Sequence, residues 1–77
     1  MSGLPPVKPD ECIRVLQRAG FHIARQRGSH VQMRRNDPQP ARTVPVPTGK
    51  KPLPRGTLRA ILRQAGLSVD EFSDLLD

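Results

Sequence analysis

The chain carries two histidines, His22 and His30, and the second stands where chemistry is possible. His30 follows Gly28 and Ser29 in the stretch RQRGSHVQMRR, just past a glycine turn and among arginines. An imidazole with a free pKa of ~6.5 can take the proton from a ribose 2′-hydroxyl. Arginine and lysine side chains can stabilise the negative charge that builds on a phosphate as that oxygen attacks. Arg25, Arg27, Lys50, Lys51 and Arg55 are the candidate cations, and Gly28 and Ser29 form the turn that holds His30. The competing reading is a surface histidine on a basic hairpin, which is the commoner occurrence.

Other chemistries fit less well. If the two histidines lie four strand residues apart, they are separated by roughly 13 Å at ~3.3 Å per residue, too far to share a zinc ion. The same distance rules out a two-histidine acid–base pair on one phosphate. Magnesium-dependent cleavage needs clustered carboxylates, and from Cys12 to Leu67 the only acid is Asp37. A single cysteine, Cys12, excludes a disulfide framework and the multi-cysteine zinc patterns, and fits a small buried hydrophobe on a helix. No metal site and no cofactor are expected.

The rest of the chain must position His30 and its cations. Seventy-seven residues, 35% hydrophobic with two phenylalanines as the only aromatics, make one small domain with a core of Leu, Ile, Val and Ala. Twelve Lys and Arg face one acid between Cys12 and Leu67, while the last ten residues hold four acids and no base. A basic body with an acidic tail points to a polyanion, most simply nucleic acid. Without Tyr or Trp, and with both Phe read as core, there is no base-stacking platform, so binding should lean on phosphates and helical shape. No signal peptide or long apolar run is visible, which together with the lone cysteine reads as a cytoplasmic protein without a membrane role.

Residues 1–8 read as a flexible, Pro-rich leader, and 9–77 as the domain. A first helix is predicted over 9–19, with Pro9 at its first position, Asp10 and Glu11 at its positive end and Gly20 as its stop. FHIARQ and SHVQMRR alternate in polarity and predict a hairpin. Pairing 26 with 30 puts Phe21, Ile23, Val31 and Met33 on one face, leaves 27–29 as a three-residue loop with Gly28 at positive φ, and places His30 on the helix-free face. RTVPVP is a third strand whose Pro45 marks a sheet edge. A second helix is predicted over about 54–65, ended by Gly66, and a short last helix follows Ser68, whose spacing to Glu71 suits a capping box. The fold class is α+β: a three-stranded antiparallel sheet with helices on one face.

LRAILRQAGLSVDEF also has the outline of a DNA-binding helix-turn-helix. The second helix of such a motif must face bases, and here it carries Asp70, Glu71 and Asp74, which phosphates repel. Specific DNA binding by this chain alone is therefore not expected.

RQRGSHVQMRR, then TVPVP, then LPRGTLRAILRQAGLSVDEF closely resemble the HicA family, the RNA-cleaving toxins of HicA–HicB toxin–antitoxin pairs. The resemblance spans about residues 10–75. It implies a double-stranded-RNA-binding-domain-like fold and metal-independent cleavage of mRNA, with the histidine of the G-S-H segment essential; here that is His30. It also implies a HicB antitoxin as partner, covering the active site. The chain departs from the family at Val46-Pro47, where many members carry a histidine or another polar residue. Lys50 and Lys51 then remain as the phosphate contacts of that loop. The alternative function is a non-catalytic double-stranded RNA-binding module with the same basic surface.

Overall fold

A computed structural model describes residues 3–76; Met1, Ser2 and Asp77, at the ends of the leader and the acidic tail, lie outside the described residues. The order is α1 (Pro9–Arg18), β1 (His22–Arg27), β2 (His30–Arg35), β3 (Arg42–Pro47), α2 (Arg55–Ala65) and α3 (Val69–Leu75). The three strands form one antiparallel sheet in the order β1-β2-β3. The α+β class and the double-stranded-RNA-binding-domain-like arrangement expected from the sequence are what the chain adopts.

Each helix begins and ends for local reasons. Pro9 opens α1, and the Glu11 carboxylate accepts the Lys8 backbone N–H at 2.8 Å, so an otherwise orphaned donor is satisfied. Gly66 closes α2 in the left-handed region at φ 73°, where a side chain is disfavoured. The capping box of α3 forms as its spacing requires: the Glu71 N–H donates to Ser68 Oγ at 3.0 Å, and the Ser68 N–H donates to Glu71 Oε1 at 2.8 Å.

Cys12, Val15 and Leu16 of α1, Leu58, Ile61, Leu62 and Ala65 of α2, and Phe72 of α3 are buried against Val31, Met33, Val44 and Val46 of the sheet. The helices thus cover one face of β2 and β3. No residue of β1 is buried, and Ile23 is half exposed although it stands opposite the fully buried Met33.

Residues 3–8, read from the sequence as a loose leader, have no regular secondary structure, yet two of their side chains belong to the core. Leu4 and Val7 are 3% and 1% exposed, and the Leu53 N–H donates to the Val7 carbonyl at 2.7 Å. Prolines deny a segment helix and sheet hydrogen bonds; they do not stop its apolar side chains from being buried. The leader is thereby tied to the loop that carries Lys50 and Lys51.

Candidate active site

The site begins with a turn. β1 and β2 are joined by two residues, Gly28 and Ser29, with Arg27 paired to His30. The turn therefore has two residues, not the three with 26 opposite 30 that the alternation of the strands predicts. Gly28 has φ 57° and Ser29 does not have positive φ, the pattern of a type II′ hairpin turn, so the tight form is available because residue 28 is glycine.

Away from the turn the predicted register holds: Ile23 faces Met33 and His22 faces Arg34. The two registers are reconciled by an irregularity between Ile23 and Arg25, so that Ala24 is an extra residue in the ladder. This bulge decides what surrounds His30. Directly paired residues point to the same face. In an unbroken ladder Gln26 would stand opposite His30, and Arg25 would face the helix side. With Ala24 bulged out, Arg27 pairs with His30 and Arg25 with Gln32. Both arginines are brought to the face of His30.

That face carries no helix. Val31 and Met33 are buried on the other side, so His30, Gln32 and Arg34 point outward, and β3 contributes Pro47, Pro45 and Thr43 in the same three rows. His30 therefore lies between Arg27 on one side and Pro47 on the other, each about 5 Å away between Cβ atoms in such pairs. His22 shares the face but stands in the row of Arg34, four residues from His30 along β2. Arg34 is held by Asn36 Oδ1 (2.8 Å) and Thr43 Oγ1 (2.9 Å). The side chains of Arg25 and Arg27 are exposed and form no hydrogen bond or ion pair with the described residues, so both guanidinium groups are available to a ligand.

The remaining expected cations divide. Lys50 and Lys51 are exposed on the loop after β3. The start of that loop is tied to the turn of His30, since Thr48 donates both its N–H (2.7 Å) and its hydroxyl (3.1 Å) to the Ser29 carbonyl. Arg55 opens α2 on the helix layer, with its guanidinium beside Gly3, 3.6 Å from where a Cβ would stand there. No register or hydrogen bond brings Arg55 to His30. Thr48 was not singled out from the sequence; the signal was available, because a threonine just past an edge strand can reach the neighbouring turn.

Among the described residues no three His, Cys, Asp or Glu side chains come together in a group fit to hold a metal ion, and no helix is long and apolar enough to cross a membrane. Cys12 is fully buried, and desolvation pushes its thiol up to about 12, which keeps it protonated and unreactive in the folded chain.

Comparison with protein families matches residues 9–67 to the family described as the HicA toxin of bacterial toxin–antitoxin systems. A comparison with curated proteins finds no match.

Proposed function

The chain belongs to the HicA family of bacterial toxins, whose members pair with a HicB-type antitoxin, and from that premise we propose that it is an endoribonuclease cleaving mRNA with His30 as its one catalytic histidine. The observation that carries the reading is the row Arg27–His30–Pro47: an exposed imidazole with an unpaired guanidinium directly opposite it on an open face.

In the step this arrangement serves, His30 takes the proton of a ribose 2′-hydroxyl. The 2′-oxygen attacks the adjacent phosphorus, the bond from phosphorus to the 5′-oxygen breaks, and that oxygen leaves with a proton from water; the protonated His30 then returns its proton to the hydroxide that remains. Arg27 faces the phosphate as negative charge builds on its oxygens, and Arg25, one row further, holds the neighbouring phosphate. Lys50 and Lys51 extend the basic track from the loop moored to Ser29. Gly28 and Ser29 hold the turn, and no metal or cofactor takes part. Arg55 serves RNA binding outside the catalytic row.

The products report the mechanism. Attack by the 2′-oxygen leaves a 2′,3′-cyclic phosphate on one fragment and a 5′-hydroxyl on the other. End-group analysis of RNA cut by the purified chain should find both; a 5′-phosphate would contradict the role given to His30.

A further inference from the structure

The two edges of the sheet are built differently. In a two-residue hairpin the closing pair turns its backbone groups toward each other, so Arg27 and Arg25 face β2, and the N–H and C=O of Gln26 point away from the sheet. The same alternation on β3 makes Thr48 donate inward to Ser29, as its 2.7 Å bond shows, and turns the nitrogens of Pro45 and Pro47 outward. Those nitrogens carry no hydrogen. The β3 edge is therefore blunted at both positions, in the way sheets commonly avoid extra strands, while the β1 edge keeps its donors.

The side chains of β1 select what can use that edge. On the helix side Ile23, the one exposed large hydrophobic residue of the described chain, extends the core beyond Met33. On the open side His22, Arg25 and Arg27 present three bases and no acid. A second copy of this chain would set arginines against arginines. A strand with an apolar residue beside Ile23 and carboxylates beside Arg25 and Arg27 would match both faces. RNA offers neither a ladder of amides nor an apolar contact for Ile23.

We propose that the open edge of β1 is the docking site for an extended, acidic segment of the HicB-type antitoxin, which adds to the sheet as a fourth strand. Its carboxylates sit on Arg25 and Arg27 in place of RNA phosphates, so strand addition also blocks the row of His30. This last consequence rests on the ribonuclease reading above; the docking itself does not.

The test uses the full chain and its HicB-type antitoxin, with affinity measured by calorimetry and cleavage assayed separately. Gln26→Pro removes the outward donor and copies what Pro45 and Pro47 already do on β3, so the fold tolerates it. Ile23→Thr removes the apolar contact at a half-exposed position. Each should weaken antitoxin binding about tenfold or more, with RNA cleavage by the free variants unchanged. Hydrogen exchange on the wild-type chain supplies a second readout that needs no variant: the Gln26 amide should become protected when the antitoxin binds. Unaltered affinity in both variants, or a Gln26 amide that exchanges as fast in the complex as in the free chain, overturns the proposal. So does protection of that amide by RNA and not by the antitoxin. Failure of the wild-type chain to cut RNA would sink the ribonuclease reading alone, because the binding and exchange results stand without it.

Discussion

Replacing Leu4 or Val7 by alanine tests whether the leader is part of the fold. Leu4→Ala removes three carbons from a side chain that is 3% exposed, and Val7→Ala removes two from one that is 1% exposed. At ~0.8 kcal/mol per buried carbon, with a further cost for the cavity, the losses come to about 3 and 2 kcal/mol. A domain of this length has on the order of 4–12 kcal/mol of stability in total, so the double variant should be close to unfolding. The assay is thermal denaturation followed by circular dichroism. Leu4→Ala should lower Tm by about 12–24 °C, given ~4–8 °C per kcal/mol for a domain this small. The double variant should also speed hydrogen exchange at the Leu53 amide, which donates to the Val7 carbonyl. A truly loose segment would cost less than ~0.5 kcal/mol on substitution. Two single variants melting within about 3 °C of wild type would refute the packing argument.

The other predictions concern the site and the buried thiol. Arg27→Gln should lower the RNA cleavage rate by about tenfold or more, whereas Arg55→Gln, on the helix layer, should leave the rate within about twofold and lower affinity only; equal effects on the rate would contradict the placement of Arg27. Deleting Ala24 closes the bulge without moving Arg25 or Arg27 to the other face, since Ile23 and Arg25 already pair with the consecutive residues Met33 and Gln32. The shortened chain should therefore fold and cut RNA, an unusual outcome for a deletion inside a strand, and loss of both would show the bulge to be indispensable. Cys12 holds its proton up to about 12 in the folded chain against an ordinary 9.0. Stability from this group is thus intact below pH 9 and falls as pH rises from there toward 12, by about 1 kcal/mol per pH unit. Urea denaturation of wild type beside Cys12→Ala should show that alkaline slope in the wild type alone.

Much of this arrangement is legible in the residues because local chemistry decides it. Pro9, Asp10 and Glu11 mark the start of α1, Gly66 the end of α2, and Ser68 with Glu71 the start of α3, each through backbone groups only a few residues away. The strand alternation around Val31, Met33, Val44 and Val46 shows which face is buried, and so places His30 on the open one. The bulge at Ala24 was not legible, since a one-residue irregularity depends on how the tight II′ turn competes with the packing of Phe21 and Ile23. Two consequences follow: the loop has two residues instead of three, and the candidate cations Arg25 and Arg27 stand on the face of His30. The burial of Leu4 and Val7 was hidden for another reason. Val7 is bonded to Leu53, far along the chain, and both side chains join the common core, whereas proline-rich composition reports only on the hydrogen bonds a segment cannot make.

The proposed ribonuclease function depends on His30 doing the chemistry. The direct measurement is RNA cleavage by the purified chain with and without EDTA, beside a His30→Ala variant; His30 is exposed, so the variant should fold as wild type does. Cleavage should survive EDTA and disappear in the variant while RNA affinity is largely kept. Cleavage that persists in His30→Ala, or RNA bound by both proteins and cut by neither, would contradict it and leave a basic RNA-binding surface with an incidental histidine.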